Sequence, residues 1–287
     1  PAEFTRYDYT QENYTRLLWF FEGFTSYYDD LLLRRAGLID DTAYLRLLNK
    51  TINQVDQTPG RLVQSVADAS FDAWIKYYRQ DENTPNATVS YYTKGALVGL
   101  CLDLALRAEG RTSLDAVMRA LWQRCAGGPM REQDLLDVLA ELSGRAWNRE
   151  IAQWVHSTAE LPLADLLAQH GVVAVDEPAQ WQQRLGLRCA ESEHRITVKT
   201  VLRGGAAEQA GMSAGDEWIG IEVQGRGWRL GKVDELSLYT AGHKRIQVVV
   251  ARDQRLLRLP LVIPAQVTTR RLVLRDAARA HGWLGGS

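Results

Sequence analysis

The run Leu17-Leu18-Trp19-Phe20-Phe21-Glu22-Gly23-Phe24-Thr25-Ser26-Tyr27-Tyr28 is apolar almost throughout and carries a single carboxylate near its middle. Around it, apolar residues stand at positions 14, 17, 18, 21, 24, 28, 31 and 32. These positions follow the i, i+3, i+4, i+7 spacing of a helix that packs one face into a core. The pattern therefore predicts a core helix, with Glu22 beside its apolar stripe.

Glu22 is the first candidate functional residue, because its own helix offers no compensating charge. The residues one turn away are Leu18, Trp19, Thr25 and Ser26. Burying an unpaired carboxylate costs free energy, so a buried Glu22 needs a partner from outside its helix. From spacing alone three interpretations stay open: a metal ion, an arginine of another helix, or an exposed position that needs no partner.

Two motifs resemble those of a known family. The string from Trp19 to Thr25 resembles the Trp-x-x-Glu-Gly-x-(Thr/Ala) segment of the gluzincin metallopeptidases, and the longer run from Pro1 to Asp29 is similar to the glycyl aminopeptidases within that group. A second match, Tyr92-Thr93-Lys94-Gly95, has the Tyr-x-Lys-Gly pattern of related aminopeptidases. The resemblance implies that Glu22 is a zinc ligand and that Tyr92 stabilises the transition state.

The implied activity is hydrolysis of peptide or protein substrates at the N-terminus, with a preference for glycine or small residues. If Glu22 and Tyr92 serve one zinc site, their side-chain tips must face the same cleft, no more than roughly 8 Å apart. Without the resemblance, Tyr91 and Tyr92 read as aromatic residues at the edge of a core. We interpret Tyr91 as structural in either case.

One element of the family pattern is missing. Zinc peptidases of this group take two ligands and the general base from a His-Glu-x-x-His helix, and the sequence contains no such motif. In the family that helix precedes the segment that begins here with Pro1. We therefore expect a C-terminal fragment of a zinc aminopeptidase that holds no zinc and hydrolyses no peptide by itself.

Composition narrows the class of protein. The chain has 287 residues, 46% hydrophobic and 24% charged, which is typical of a globular protein with room for two domains. A net charge of −1 gives no electrostatic footprint for nucleic acid, and no apolar run is long enough to predict a membrane span. Whether a signal peptide stands upstream of Pro1 is left open.

The cysteines and histidines show no metal-binding or disulfide pattern. Cys101, Cys125 and Cys189 are odd in number and far apart, which favours free thiols in a reducing compartment and weakly favours the cytoplasm. The five histidines lack a His or Glu partner at ligand spacing, and we interpret them as structural or solvent-facing. They are His156, His170, His194, His243 and His281.

The chain reads as a multi-domain protein: an all-α domain over 1–172, a β-rich PDZ-like domain over 178–265, and a tail over 266–287 with a basic helix over 268–280. The tail is predicted to fray at Gly285-Gly286-Ser287. Helix caps are predicted at polar residues that precede apolar periodic runs. The predicted N-caps are Thr10, Asp40 or Asp41, Ser70, Ser90 and Ser113. Predicted strands are 196–201, 246–250 and 256–263.

A second candidate site lies in the β-rich part. The run from Gly204 to Asp216 resembles the PDZ signature, and Leu185-Gly186-Leu187 is the candidate carboxylate-binding loop. Such a loop captures a peptide C-terminus while the next strand pairs with the peptide. The alternative is a groove blocked by the protein's own chain. Two functions therefore compete: a zinc aminopeptidase with a PDZ module, and a non-catalytic peptide-binding protein.

Overall fold

The computed structural model describes residues 1–193 and 195–285. His194 and the predicted frayed residues Gly286 and Ser287 lie outside the described residues. The chain forms two units, one made of residues 1–79, 87–175 and 270 onward, the other of residues 80–86 and 176–269. The helical first part and the antiparallel β-rich second part are as expected from the sequence. The domain bounds 1–172, 178–265 and 266–287 stay predictions.

The regular elements of the chain before residue 170 are helices, joined by turns and loops. They are α1 (Leu18–Arg35), α2 (Asp41–Asp56), α3 (Val66–Phe71), α4 (Thr84–Ala87), α5 (Thr93–Glu109), α6 (Leu114–Cys125), α7 (Glu132–Ser143), α8 (Asn148–Trp154) and α9 (Leu163–Gln169). Helix α5 is buried on almost every side, which is why its sequence is apolar all round, and it forms the centre of the helical core.

The first helix begins later than its predicted cap. Helix α1 starts at Leu18, and the cap predicted at Thr10 is wrong: the Thr10 hydroxyl donates to the Asp8 carboxylate within a turn. A short 3₁₀ helix, Ala2–Arg6, comes before that turn. At the other end the helix stops at Arg35, and Gly37 follows with a φ of +74°, a conformation that favours glycine after a helix.

The predicted cap at Ser70 is also wrong. Ser65 caps α3, and its hydroxyl accepts the Asp68 amide at 3.1 Å. Ser70 lies inside α3, and its hydroxyl accepts the Trp19 backbone amide at 2.9 Å, so it caps the start of α1 instead. The aromatic stretch that follows, Ala73–Tyr77, is a π-helical turn.

The caps predicted at Asp40 and Ser113 agree with the structure, whereas the N-cap of α5 is Tyr92 and not the predicted Ser90. The Asp40 carboxylate accepts the Ala43 amide at 2.7 Å, and the Ser113 hydroxyl accepts the Ala116 amide at 3.4 Å. Helix α5 begins at Thr93, three residues after Ser90, whose hydroxyl accepts the Thr93 amide at 3.4 Å. It ends before Gly110, which has a φ of +73°.

An antiparallel sheet dominates the second unit. Its strands are β2 (Leu187–Ser192), β3 (Arg195–Val201), β4 (Glu217–Val223), β5 (Arg226–Arg229), β6 (Arg245–Arg252) and β7 (Arg255–Val262). The order is β2-β3-β4-β6-β7, with β5 paired to β4. Three short helices accompany them: α10 (Trp181–Leu185), α11 (Ala206–Ala210) and α12 (Leu236–Tyr239). The three predicted strands are confirmed, and β2 lies at the edge of the sheet.

The C-terminal segment departs from its prediction. A basic helix over 268–280 is wrong: β8 (Thr268–Leu274) is a strand paired with β1 (Val172–Pro178), and α13 (Ala277–Leu284) follows. Two threonines and a valine favour the extended strand, and Asp276 then caps the helix by accepting the Arg279 amide at 3.1 Å. Helix α13 packs into the helical unit, where Trp283 is fully buried.

No helix within residues 1–193 and 195–285 is long and apolar enough to cross a membrane.

Candidate active site

The two family motifs meet where helix α1 crosses helix α5. A Cβ added at Gly23 would lie 2.5 Å from the carbonyl carbon of Gly95, and one added at Gly95 would lie 2.5 Å from the carbonyl oxygen of Trp19. Neither position has room for a side chain, so both glycines are required for the backbones to touch. This contact fixes the register between the helix that carries Glu22 and the helix that begins at Tyr92.

Glu22 is half-buried, and no cationic side chain of the described residues pairs with it. Among the described residues, its carboxylate has neither a hydrogen-bond donor nor an ion-pair partner within reach. The interpretation in which an arginine of another helix neutralises Glu22 therefore finds no support in the described part of the chain. An unpaired, partly buried carboxylate has its oxygen lone pairs free for an external ligand.

Tyr92 is half-buried immediately before the first residue of α5. Burial raises the pKa of its phenol, and the negative charge of Glu22 raises it further. The phenol therefore keeps its proton across the neutral pH range and remains a hydrogen-bond donor. The effect of Glu22 also means that the two groups are close enough to interact electrostatically, although their separation stays a prediction.

The rings of two other tyrosines pack near Tyr92. Tyr91 is fully buried and its ring lies 4.8 Å from that of Tyr92, while the Tyr77 ring lies 5.7 Å from Tyr92. The Tyr91 hydroxyl is 3.4 Å from that of Tyr78. Sequence analysis did not bring Tyr77 and Tyr78 to this place. They come from the π-helical turn Ala73–Tyr77 and its last flanking residue, and π-helical turns are frequent at functional sites.

Lys94, the basic residue of the Tyr-x-Lys-Gly motif, lies in the interior. Its residue is only 3% exposed, and burial lowers the pKa of its ammonium group, against the opposing effect of the Glu160 carboxylate. A long aliphatic stem makes such a position tolerable. Lys94 therefore belongs to the packing beneath Tyr92 and not to the exposed surface beside Glu22.

The fit of zinc to these residues is partial. Glu22 has the right chemistry for one ligand, since zinc accepts carboxylate oxygen. Over residues 1–193 and 195–285, no group of three or more His, Cys, Asp or Glu side chains is placed to hold a metal ion. Two histidines have other partners: His156 pairs with Glu132 at 2.8 Å, and His170 bonds the Leu104 carbonyl at 2.8 Å.

The candidate peptide-binding loop sits between a helix and the edge strand of the sheet. Leu185 is the last residue of α10 and Leu187 the first of β2, and both are buried. Gly186 caps the helix with a φ of +72°, and its amide donates to the carbonyls of Gln182 and Gln183. The Gly186 amide is thus already used by the end of helix α10.

The outer edge of β2 is also paired within its own unit. The Cys189 amide donates to the side-chain oxygen of Gln182 at 2.8 Å. The Glu191 carboxylate accepts the Val233 amide at 3.1 Å and the Gln182 side-chain amide at 3.4 Å. The primary amide of Gln182 therefore occupies the place that a peptide group of an added strand would take on this edge.

Comparison with known proteins bears on the first unit most directly. The family model of the M61 glycyl aminopeptidases matches residues 1–98, which include both motifs. An aminopeptidase N family protein from Idiomarina loihiensis is 31% identical, with a TM-score of 0.90, over 99% of this chain and 51% of that one. This chain therefore spans about half the length of that relative.

Two further comparisons do not bear on the function of the chain. The PDZ domain of a carboxy-terminal protease from Vibrio cholerae, solved with a peptide, covers 35% of this chain and 98% of that one at 14% identity, and its TM-score of 0.24 carries no argument. A search of the curated proteins gives no match. The resemblance stated from the sequence is confirmed: residues 1–98 carry the pattern of the M61 glycyl aminopeptidases, on the fold of an aminopeptidase N family protein.

Proposed function

We propose that this chain is part of a zinc-dependent aminopeptidase in which Glu22 is one zinc ligand and Tyr92 donates a hydrogen bond to the reacting carbonyl oxygen. The supporting observation is the contact of Gly23 with Gly95, which fixes the two motifs against each other. The electrostatic effect of Glu22 on the Tyr92 phenol agrees with a common site. Peptides with N-terminal glycine or small residues are the substrates that the family implies.

Each residue has a definite chemical role in this proposal. Zinc, when bound, polarises a carbonyl group and activates water. Glu22 supplies an oxygen that no cation of the described residues neutralises. Tyr92 supplies a phenolic proton that its raised pKa retains at neutral pH. A donor aimed at a developing oxyanion contributes about 3 to 4 kcal/mol to transition-state stabilisation in favourable sites.

The chain by itself is expected to hydrolyse no peptide. A zinc peptidase needs three protein ligands and a bound water, and the described residues supply one candidate ligand. The assay uses aminoacyl anilides with added zinc, in parallel with a chelator. Turnover that the chelator abolishes would contradict this expectation.

The decisive observation is the sequence upstream of Pro1 in the parent gene. His-Glu-x-x-His there supports the zinc peptidase, and its absence supports the alternative below. In an active parent protein, Glu22→Gln should lower the zinc content. Tyr92→Phe should keep the zinc and reduce kcat about 10²- to 10³-fold. Tyr239→Phe, which removes the hydroxyl of a tyrosine stacked on Trp228 in the β-rich unit, serves as the matched control, with kcat nearly unchanged.

The second candidate is a peptide-binding module formed by the β-rich unit. Edge strand β2, with Leu185, Gly186 and Leu187 at its start, is the observation that favours it. The Gly-Asp pair before β4 and the short helix α11 agree with the PDZ-like signature. A peptide library in carboxylate and amide forms tests terminal capture, and equal affinity for both forms would exclude it. The three free thiols suit a reducing compartment such as the cytoplasm.

A further inference from the structure

A cavity of about 480 Å³ opens on a face of α1 next to α6, and neither motif contributes to its charge. Its walls are mostly aromatic and sulfur-containing side chains, among them Phe24, Tyr28, Met118 and Met130. Two of the chain's three methionines therefore line one cavity. Its size falls within the range of small-ligand sites, and Met-rich walls adapt to ligands of different shape.

The turn after α6 lines one side of this cavity. Ala126 has a φ of +48° and Gly127 a φ of +70°, so the chain makes a left-handed turn after α6. The Trp122 ring packs on Gly127, where an added Cβ would lie 3.1 Å from the ring. Trp122 is nevertheless 71% exposed, which leaves a large aromatic face at the rim.

One charge stands at the cavity, and it is negative. Asp29 is the charged residue among the described residues that line it. Within the described part of the chain, Asp29 has no hydrogen bond and no ion pair. The neighbouring Asp30 has a raised pKa, first because it is partly buried and then because of the charge of Asp29.

We propose that this cavity binds a small amphipathic amine, with its apolar body against the aromatic and methionine walls and its ammonium group at Asp29. An aromatic rim also favours a cation, because the face of a Trp ring attracts positive charge. Glu22 does not line the cavity, although its neighbours Phe20, Phe21 and Phe24 on helix α1 do, so the amine site shares this helix with the proposed zinc ligand but does not include it.

The test uses two probes of equal shape, naphthylmethylamine and naphthylmethanol, with the full chain at pH 8 and low salt. Cys125 lines the cavity, so its alkylation rate, followed by mass spectrometry, reports occupancy. Cys189 in the other unit is the internal control. We expect both probes to slow alkylation of Cys125 but not of Cys189. The amine should bind about fivefold more tightly than the alcohol.

Two variants separate charge from apolar contact. Asp29→Asn should make the two affinities equal, whereas Asp234→Asn, with the same change in net charge, should keep the difference. The difference should also shrink in 0.5 M salt, because exposed ion pairs are screened (Debye length about 3 to 8 Å above physiological ionic strength). Equal affinities in the wild type would overturn the role of Asp29. Failure of both probes to protect Cys125 would overturn the site itself.

Discussion

Each unit of this protein buries one carboxylate completely, and the two are supported in different ways. In the β-rich unit, Asp216 is 0% exposed and accepts two hydrogen bonds from Arg252, at 2.7 and 2.8 Å, together with one from the Ser213 amide at 2.9 Å. The side chain of Asp216 thus has its partners at a single turn and at the end of one strand.

In the helical unit, Asp103 is also 0% exposed but connects distant parts of the chain. It accepts the Tyr27 hydroxyl at 2.7 Å, Arg107 at 2.9 Å and the Leu114 amide at 2.9 Å. The network continues, because Arg107 also pairs with Asp115 at 2.8 Å. A buried carboxylate can therefore stabilise one turn, as Asp216 does, or connect several helices, as Asp103 does. The loss of unfolding free energy on substitution should be larger in the second case.

The largest expected effect is the loss of Asp103. Asp103→Ala leaves the Tyr27 hydroxyl and the Leu114 amide without their acceptor and removes one of the two carboxylates paired with Arg107, and breaking a buried pair costs about 3 to 5 kcal/mol of unfolding free energy. Asp216→Ala should cost less, about 1 to 3 kcal/mol, because the Arg252 side chain is 31% exposed and can be hydrated. Urea unfolding measures both losses. An equal loss from the two substitutions would remove the distinction.

The next effect concerns the crossing of α1 with α5. Gly23→Ala forces a methyl group against the backbone of Gly95, and overpacking of this kind costs about 1 to 3 kcal/mol of unfolding free energy. Gly282→Ala is the matched control, because nothing lies within 4 Å of a Cβ there. That change should be neutral or stabilise helix α13 by up to about 1 kcal/mol. Thermal unfolding distinguishes the two, and a neutral Gly23→Ala would refute the tight contact.

A smaller effect is expected at the edge of the β-rich unit. Gln182→Ala frees the Cys189 amide on β2, so a peptide that adds to this edge no longer competes with an internal hydrogen bond. One such bond corresponds to about 1 kcal/mol, so peptide affinity should rise about fivefold. Calorimetric titration of the wild type and the variant measures this. Unchanged or weaker binding would show that peptides do not use this edge.

The smallest effect depends on pH in the helical unit. The hydrogen bond that the His156 imidazole donates to the Glu132 carboxylate raises the pKa of His156 above its ordinary value near 6.5. The pair therefore stabilises the fold fully below about pH 6.5, and the contribution disappears as pH rises through the folded-state pKa. Because His156 is 37% exposed, the change should stay below about 1 kcal/mol. Unfolding at pH 5.5 and 8.5 of the wild type and His156→Gln isolates it, and a wild-type gain at high pH would contradict the sign.

Local signals carried the successful sequence predictions. The caps at Asp40 and Ser113 and the strand alternation of 196–201 each depend on neighbours within a few residues. The edge position of β2 and the paired Cys189 amide were not visible, because Gln182 reads as an ordinary helix residue. Its role depends on how α10 packs, which periodicity does not encode.

Long-range features of the candidate site were only half visible. Both motifs contain a glycine, and small residues allow the close approach of another helix, but only the structure shows that Gly23 and Gly95 contact each other. Tyr77 and Tyr78 lie at a π-helical turn, and nothing in their spacing distinguishes such a turn from an ordinary helix. The cavity beside Asp29 is lined by residues of α1, of α6 and of the 127–130 turn, so no single stretch of sequence predicts it.

The last helix has a consequence for how the chain folds during synthesis. Trp283 donates to the Tyr27 hydroxyl at 3.0 Å, and Arg107 donates to the Gly282 carbonyl at 2.6 Å. These bonds to α13 cannot form until the ribosome has passed residue 284, long after α1 and α5 have emerged. The residues between 176 and 269 have meanwhile been made and can fold first, because their contacts are nearer in sequence. Until then the Tyr27 hydroxyl lacks its bond from Trp283, and the interior around Tyr27 and Asp103 is not yet covered by α13. During this period chaperones and proteases have access to the interior of the helical unit.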